Sequence, residues 1–175
     1  MSVVPQLPPL GEEVLWDLFC RAEEIGLRLE VTDTGITWET LPGLKHQEHM
    51  AAIFGSVQPV ESHAGGCECY RALDLAIRLP DGTVKRPDVS IFCRRPLEEE
   101  GFVHAVPEAV IEITSPGYEQ KDLQIGPPIY LRNGIREVLV LDRRSSTVHH
   151  WRSSQATTYA SPVLITLLCG CKVTV

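Results

Sequence analysis

Two acidic residues, Asp88 and Glu112, each lie within a short apolar segment of the sequence. Asp88 follows Arg86-Pro87 and precedes Val89–Phe92, and Glu112 lies inside Val110–Ile113. Both segments are rich in β-branched residues, which predicts strands. A carboxylate buried in an apolar strand costs several kcal/mol unless a partner offsets its charge. Two such carboxylates on neighbouring strands also raise each other's pKa.

A hard divalent cation coordinated by oxygen would offset both costs. Mg²⁺ typically takes one or two carboxylates and keeps several of its waters. A metal ion held in this way lowers the pKa of a bound water and stabilises the charge that develops on a phosphate. Asp88 and Glu112 therefore predict a metal-dependent site for the cleavage of phosphodiester bonds.

Two helices and a hairpin are predicted before the first of these acids. Apolar residues at helical spacing predict an amphipathic helix from Gly11 to Gly26. Short strands are predicted from Leu27 to Glu30 and from Ile36 to Glu39, on either side of a turn. A second helix, from Lys45 to Phe54, follows the Pro42-Gly43 break.

The elements that contain the acids are predicted to be mostly strands. Leu73 to Leu79 and Thr83 to Phe92 are expected to form a hairpin. The strand of Glu112 comes next. It is followed by a helix from Asp122 to Arg132, whose middle is interrupted by Pro127-Pro128.

The last third of the chain predicts further strands. The apolar run from Val138 to Asp142 is expected to pair with Thr147 to Trp151, and Pro162 to Val175 contains one or two more strands. This mixed order of helices and strands predicts an α/β (mixed α+β) fold in which helices pack against a single sheet. The length of 175 residues fits one domain over residues 1–175.

Composition and charge limit the possible functions. With 43% hydrophobic and 22% charged residues, the composition is that of an ordinary globular protein. The net charge of −7 argues against a protein that simply coats nucleic acid, because such a protein needs a cationic face. It does not exclude a nuclease, whose acids act together with a bound cation. Arg94-Arg95 and Arg143-Arg144 are candidates for a basic rim.

The sequence predicts a soluble cytoplasmic protein without a membrane segment. No apolar run approaches the roughly 20 residues that a membrane-spanning helix needs. The first nine residues, Met1 to Pro9, lack the positive region of a signal peptide and are expected to be a loose leader.

Six cysteines are expected to be thiols rather than disulfides, since no secretory signal is evident. Two pairs have C-x-C spacing, Cys67 with Cys69 and Cys169 with Cys171. On strands, the members of each pair would face the same side, and four thiolates from two adjacent strands could hold a structural Zn²⁺. We favour small buried side chains instead, because C-x-C is less typical of structural zinc sites than C-x₂₋₄-C.

Several motifs follow one another in a fixed order between about Glu39 and Trp151: Pro87-Asp88-Val89, Val110 to Pro116, Asp122-Leu123, Tyr130, Gly134 and Glu137 to Asp142. With this order and spacing, the region resembles the Uma2 family of endonucleases, members of the PD-(D/E)XK nuclease superfamily with a restriction-endonuclease-like core. His46, after Pro42-Gly43, also fits the helix opening of that family, and Glu39 fits an acid often placed before it.

The resemblance implies a nuclease core in which Asp88 and Glu112 bind Mg²⁺ or Mn²⁺, helped by the backbone carbonyl of Ile113. It also implies a lysine that orients or activates water. The superfamily places this lysine two residues after the glutamate, where this chain has Thr114. Uma2 proteins usually shift it onto the following helix, where this chain has Gly126.

Lys121 is therefore the candidate catalytic lysine, the alternative being a solvated residue near a helix start. Glu39 is a candidate third carboxylate or carrier of a metal-bound water, unless it is simply an exposed strand residue. His46 is a candidate capping residue or contact to a substrate phosphate. Asp122 has two interpretations, a helix N-cap or a residue that supports the metal ligands. Tyr130 is expected to be structural, as an aromatic side chain packed on the sheet.

The predicted function is that of a Mg²⁺-dependent DNA endonuclease, and a homodimer is expected because two strands of DNA must be cut. The alternative is a catalytically degenerate relative that acts in DNA binding or assembly, which the missing lysine and the Pro127-Pro128 break favour.

Overall fold

The computed structural model describes residues 11–61, 66–98 and 100–175. The expected leader, Met1 to Pro9, lies outside these residues. The described helices are α1 (Glu12–Glu24), α2 (Leu44–Ser56) and α3 (Gly126–Arg132), with a π-helical segment, Lys121–Ile125, directly before α3. The described strands are β1 (Leu27–Thr32), β2 (Gly35–Thr40), β3 (Gln58–Pro59), β4 (Tyr70–Leu73), β5 (Ile77–Arg78), β6 (Val84–Lys85), β7 (Val89–Phe92), β8 (Ala109–Ile113), β9 (Glu137–Asp142), β10 (Thr147–Trp151), β11 (Ala156–Ala160), β12 (Leu164–Thr166) and β13 (Cys171–Thr174).

A six-stranded sheet forms the centre of the fold, in the order β11-β10-β9-β8-β7-β4. Neighbouring strands are antiparallel except β8 and β9, which are parallel with Glu112 opposite Val140. The sheet is therefore mixed, as the sequence predicted. A parallel pair needs a crossover connection, and the π-helical segment with α3 lies between β8 and β9 in the chain.

The three inner strands β7, β8 and β9 are buried on both faces, which explains their apolar sequences. Ile111 and Leu139 face a cluster that includes α2 and the C-terminal strands. Val110 and Val138 face the other side, against Tyr130 of α3. Successive side chains of a strand point to opposite faces, so a strand covered on both sides needs a continuous apolar run.

The predicted hairpin of residues 73–79 and 83–92 is wrong in one respect, because each of its strands is divided between two sheets. β4 pairs with β7 in the central sheet, whereas β5 pairs with β6 in another sheet. Asp74 has a φ of 49°, which is incompatible with a continuing strand. On the returning side, Pro87 lacks a backbone N–H and separates β6 from β7.

The expectation of a single sheet is also corrected by this division. A four-stranded sheet has the order β2-β1-β6-β5, so it joins the N-terminal hairpin to the returning chain. A three-stranded sheet, β12-β13-β3, contains the C-terminal hairpin. The two short pairs β5-β6 and β3-β13 could not be found from periodicity because they contain too few residues to show it.

The predicted N-terminal helix and hairpin are confirmed. Both contact Arg86, the residue that precedes Pro87-Asp88. Phe19 of α1 packs edge-to-face on Phe102, with ring centroids 5.0 Å apart. Glu23 of α1 forms an ion pair with Arg86, whose Nε also donates a hydrogen bond of 3.1 Å to Asp74. These contacts hold the chain in place immediately before Asp88.

The predicted helix of residues 122–132 consists of two parts. The N–H of Gly126 donates to the carbonyl of Lys121, five residues earlier, which is the π-helical pattern. Pro127 and Pro128 then lie in the first turn of α3. Proline is tolerated there because the first turn of a helix has N–H groups without intrahelical acceptors. The prolines therefore begin a helix rather than interrupt one.

Among the described residues, we find no helix with the length and apolar character needed to cross a membrane.

Candidate metal-binding active site

Asp88 and Glu112 lie side by side at the junction of β7 and β8, and each accepts a hydrogen bond from the other's strand. The N–H of Asp88 donates to Oε2 of Glu112 over 3.2 Å, and the N–H of Ile113 donates to Oδ2 of Asp88 over 2.8 Å. Both side chains are buried, with relative exposures of 4% and 7%. The structure thus brings together the two acids that the sequence singled out.

The pair carries more negative charge than its surroundings offset. Burial raises the pKa of Glu112 to about 8, and the nearby carboxylates of Asp88 and Asp122 add to this effect. The hydroxyl of Tyr130 donates a hydrogen bond to Oε1 of Glu112. Tyr130 is fully buried, and burial together with Glu112 raises its own pKa well above the ordinary value.

His46 and Arg28 approach Asp88 from two other elements. Nε2 of His46 lies 2.9 Å from Oδ1 of Asp88, but the two groups are not oriented for a hydrogen bond. Nδ1 of His46 lies 3.1 Å from the hydroxyl of Ser115. Nη1 of Arg28, on β1, lies 3.7 Å from Oδ1 of Asp88. His46 does not cap α2. The N-cap residue of this helix is Gly43, and no side chain makes a capping hydrogen bond there.

Lys121 reaches the same region through ion pairs with acids from the N-terminal hairpin. Its Nζ contacts Oε1 of Glu39 on β2 and lies 3.2 Å from Oε2 of Glu30 on β1. Burial alone would lower the pKa of Lys121, but the attraction of Glu30 and Glu112 outweighs it and raises that pKa. Lys121 is therefore a firmly protonated cation rather than a solvated side chain, and Glu39 is its partner rather than a free strand residue.

Glu30 shares its carboxylate between two lysines. Lys85 on β6, which is 1% exposed, has its Nζ 2.5 Å from Oε2 of Glu30 and 5.6 Å from the centre of the Tyr130 ring. Burial alone would raise the pKa of Glu30, but Lys85 and Lys121 lower it to about 2. Glu30 therefore stays ionised and fixes both ammonium groups beside the Glu112 side of the site.

Asp122 lies within the π-helical segment, so it is not an N-cap, and it makes no side-chain capping bond. Its Oδ1 is 4.0 Å from Nζ of Lys121. Burial raises the pKa of Asp122 to about 7; Lys121 opposes the rise, and Glu39 and Asp88 add to it. The site therefore disfavours ionisation of Asp122, as it does that of Glu112.

A cavity of about 580 Å³ opens over these groups. Its lining includes the two central acids, His46, Ile113, Asp122 and Glu39, together with the cationic side chains of Arg28, Lys45 and Arg143. Of the two arginine pairs expected to form a basic rim, Arg143-Arg144 contributes Arg143 to this cavity. Arg94 and Arg95 follow the other end of β7 and do not line the cavity.

The donor set fits a hard divalent cation. Two buried carboxylates and the Ile113 peptide unit face the cavity, and oxygen donors of this type suit Mg²⁺ and Mn²⁺. The buried Nε2 of His46 has no hydrogen-bond partner beside Asp88. Because its pKa is raised, Glu112 holds a proton at neutral pH. A cation that binds the carboxylate displaces this proton, so either the proton or the cation neutralises the charge of Glu112.

Comparisons with known proteins show the family and the fold of this chain. The sequence model of the Uma2 family, described as "putative restriction endonuclease", matches residues 16–167. The chain belongs to the Uma2 family. Among solved structures, this Uma2 chain is similar to a crystal structure of a "putative nuclease belonging to DUF820 from Anabaena variabilis ATCC 29413". The two chains are 22% identical, with a TM-score of 0.58, over 79% of this chain and 80% of the other. No curated protein matches the chain.

Two positions at which this Uma2 chain departs from the family pattern have other roles. The hydroxyl of Thr114 accepts a hydrogen bond of 3.1 Å from the N–H of Arg143. Gly126 donates its backbone N–H to the carbonyl of Lys121 in the π turn, and a Cβ there would lie 3.3 Å from that carbonyl oxygen. The same turn that leaves little room at Gly126 places Lys121, five residues earlier, against Glu39 and Glu30.

Sequence reasoning missed Arg28 and Glu30, left open whether Lys85 or Lys45 reaches the site, and assigned Tyr130 only to packing. A signal was present for Arg28 and Glu30, because they alternate with leucine in Leu27–Val31 and therefore share one face of a strand. Charged residues in such a run need partners, which is the argument that singled out Glu112. No local signal connects Lys85 or Tyr130 to the acids.

The cysteines differ from expectation, since Cys69 and Cys171 form a disulfide with Cα atoms 5.8 Å apart. This spacing lies within the usual range for a disulfide. Cys20, Cys67, Cys93 and Cys169 are thiols. Burial raises the pKa of Cys93 to about 12 and that of Cys169 to about 11, and Cys67 lies close to both.

Proposed function

We propose that this protein is a divalent-metal-dependent endonuclease that hydrolyses phosphodiester bonds in DNA. Asp88 and Glu112 would hold Mg²⁺ or Mn²⁺, with the backbone carbonyl of Ile113 as a further ligand. The observation that supports this most directly is that each of the two buried carboxylates accepts a backbone N–H hydrogen bond from the strand of the other, beneath an open cavity. Membership of the Uma2 family supports the same class of reaction.

The chain's own residues orient the ligands and balance the charge. The N–H groups of Asp88 and Ile113 fix one oxygen of each carboxylate, and the hydroxyl of Tyr130 fixes the second oxygen of Glu112. Hydrogen bonds of this kind to metal ligands typically matter nearly as much as the ligands themselves. When bound, the ion supplies a water of lowered pKa and a positive charge next to the phosphate.

Lys121 would stabilise negative charge on the phosphate rather than act as a base. The carboxylates around it raise its pKa, so it keeps its proton throughout the physiological range. A fixed cation near a developing oxyanion stabilises it without reorganisation. His46 lines the cavity beside Asp88, and its proposed role is a contact to a substrate phosphate.

DNA would reach the site through the cationic part of the cavity wall. Arg28, Lys45 and Arg143 lie there among the acids, although the chain carries a net charge of −7. Because the site is single and a duplex has two strands, we propose that a homodimer cuts both strands.

A catalytically degenerate protein that acts in DNA binding or assembly is the second candidate. The observation that favours it is the close pairing of Lys121 with Glu39 and Glu30, which neutralises its charge within the protein. Gly126 offers no second lysine.

The test is cleavage of supercoiled plasmid by the purified protein in Mg²⁺ and in Mn²⁺, with Mn²⁺ affinity measured by calorimetry. We expect metal-dependent nicking that Asp88→Asn and Glu112→Gln each abolish together with Mn²⁺ binding. Glu108→Gln is the matched control, because Glu108 lies just before β8 and pairs with Arg136 at the surface.

The outcomes separate the candidates. Nicking that survives both active-site substitutions would contradict the proposed site. Mn²⁺ binding without cleavage, in either metal, would favour the degenerate protein. Absence of metal binding in the wild type would mean that the two acids serve folding alone.

A further inference from the structure

Five of the six cysteines meet at one place, although they come from three distant parts of the chain. The sulfur atoms of Cys67, Cys169 and Cys171 all lie within 4.8 Å of one another. The sulfurs of Cys67 and Cys171 are 3.5 Å apart. Cys93 lies near Cys67 and Cys169, and Cys69 is bonded to Cys171. We call these five residues the cysteine cluster.

The cluster is built where the C-terminal sheet meets the central sheet. Cys67 precedes β4 and Cys93 follows β7, and the N–H of Glu68 donates to the carbonyl of Cys93 over 2.8 Å. Cys169 and Cys171 lie at the tight turn between β12 and β13, where Gly170 has a φ of 87°. A disulfide uses only two of these sulfurs and leaves the other three packed against it.

We propose that the reduced protein binds one structural Zn²⁺ through the thiolates of Cys67, Cys93, Cys169 and Cys171. Zinc in structural sites is tetrahedral with Zn–S distances of about 2.3 Å, which places its sulfur ligands roughly 3.8 Å apart. Before any metal is added, the sulfurs of Cys67 and Cys171 are 3.5 Å apart and neither lies more than 4.8 Å from the sulfur of Cys169, so small shifts would reach this value. We assign Cys93 as the fourth ligand because its carbonyl accepts a hydrogen bond from Glu68, the neighbour of Cys67, which places it beside the other three cysteines.

Cys171 becomes a ligand once its disulfide with Cys69 is reduced. A phosphine reductant cleaves the S–S bond to two thiols and takes the oxygen of one water molecule to become the phosphine oxide. Each of the four ligand thiols then releases its proton to solvent as its sulfur binds Zn²⁺. Cys69 is left as a buried thiol beside the site.

This metal site is separate from the proposed nuclease site. Asp88 and Cys93 flank β7 at opposite ends, and at about 3.3 Å per residue the strand separates them by roughly 16 Å. None of the five cysteines lines the cavity over Asp88. Zinc here would join the C-terminal hairpin to the central sheet, so its role is structural and does not depend on nuclease activity.

The experiment uses the full chain, purified without oxygen in a phosphine reductant and without added chelator. We expect one zinc per chain by elemental analysis. We also expect intense thiolate-to-cobalt charge-transfer bands after exchange into Co²⁺, because their intensity follows the number of sulfur ligands. Serine substitution of Cys67, Cys93, Cys169 or Cys171 should each abolish stoichiometric zinc.

Three kinds of control define the site. Cys20→Ser should keep zinc, because Cys20 lies on α1 away from the cluster. Cys69→Ser should also keep zinc, although it prevents the disulfide. Asp88→Asn and Glu112→Gln should keep zinc while losing Mn²⁺ binding, so failure of either metal site is detected independently of the other.

Loss of zinc through unfolding is distinguished with the wild-type protein. Removal of zinc by a chelator should lower its melting temperature in reductant, and stoichiometric zinc should restore it. Zinc well below one per chain in the anaerobic wild type would overturn the proposal. Retention of zinc by the four serine variants, or loss in Cys69→Ser with retention in Cys93→Ser, would overturn the assigned ligand set.

Discussion

The hydroxyl of Tyr130, on α3, donates a hydrogen bond to the Glu112 carboxylate in the middle of β8. The two residues belong to elements joined by the crossover between the parallel strands β8 and β9. Both are buried, and the ring of Tyr130 also lies beneath the ammonium of Lys85. One aromatic side chain therefore sets the orientation of a proposed metal ligand and contacts the cationic network next to it.

Replacing Tyr130 by phenylalanine should weaken metal binding without removing a ligand. Residues that orient metal ligands typically contribute about 10- to 100-fold to affinity or activity, so we expect Tyr130→Phe to reduce Mn²⁺ affinity and nicking by roughly that factor. Calorimetry and plasmid nicking measure the two quantities. Tyr159→Phe, on the exposed strand β11, is the control. Equal activity in Tyr130→Phe and wild type would show that the hydroxyl does not orient Glu112 for function.

Glu112 should make the metal-free protein less stable as the pH rises. Its pKa is about 8 in the folded state against an ordinary value of 4.5. Between these values the folded protein holds a proton that the unfolded chain has lost, so the free energy of unfolding falls as pH rises through this range. The stabilising contribution is complete below pH 4.5 and is lost as the pH passes about 8.

Urea denaturation in chelator at several pH values tests this, with Glu112→Gln as comparison. The variant should show a smaller fall in unfolding free energy, and the remainder should come mainly from Asp122, whose pKa is about 7. Saturating Mg²⁺ should stabilise the wild type most at the high end of the range. Parallel stability curves for wild type and Glu112→Gln would contradict the raised pKa.

Removing the Glu30 charge should destabilise the fold strongly. Its carboxylate faces the buried ammonium of Lys85 at 2.5 Å, and an unpaired buried charge typically costs roughly 3–5 kcal/mol. We expect Glu30→Gln to lower the free energy of unfolding by about that amount, measured in urea. The double variant Glu30→Leu/Lys85→Met should recover most of the loss, because it leaves no charge unpaired.

Glu108→Gln is again the matched comparison, since the pair of Glu108 with Arg136 is at the surface and should contribute less than about 1 kcal/mol. A Glu30→Gln variant as stable as Glu108→Gln would mean that water reaches Lys85.

Lys121 should be required for cleavage but not for metal binding. Removal of one group that stabilises a developing anion typically costs roughly 100-fold or more in rate, so Lys121→Met should lower nicking by that order while Mn²⁺ still binds. Lys172→Met on β13 is the control. Normal nicking by Lys121→Met would exclude Lys121 as the catalytic lysine.

A lysine introduced at Gly126 should partly restore that activity. Gly126 has an ordinary helical backbone, and its Cβ would need only a small shift from the Lys121 carbonyl, at 3.3 Å. Lys121→Met/Gly126→Lys should therefore nick plasmid faster than Lys121→Met alone. No gain, in a variant that remains folded by circular dichroism, would show that the Gly126 position does not face the phosphate in this protein.

Local patterns predicted the elements that hold the two central acids. The apolar runs around Asp88 and Glu112 required strands covered on both faces, and strands of that kind become neighbours in a mixed sheet. Helix spacing likewise located α1 and α2 to within two residues of their ends. The π turn before Pro127 was not predicted, because i→i+5 bonding has no strong sequence signal.

Contacts between distant segments could not be predicted in the same way. Lys121 lies on a helical segment and Glu39 on a hairpin, and their long side chains form an ion pair. The sequence around either residue would be compatible with many other partners of opposite charge. The Cys69–Cys171 disulfide could not be predicted for the same reason, since the spacing of cysteines in the sequence does not show which two sulfurs form a bond.

The sequence by itself determined where burial would make a charge costly, because a carboxylate inside a β-branched run requires a partner wherever the run is placed. That reasoning identified Asp88 and Glu112 and would have identified Glu30. Only the tertiary structure decided which partners they have. Tyr130, Lys121 and the other cysteines reach their positions through a crossover, a π turn and a C-terminal hairpin, whose relative placement depends on packing of the whole core rather than on any local pattern.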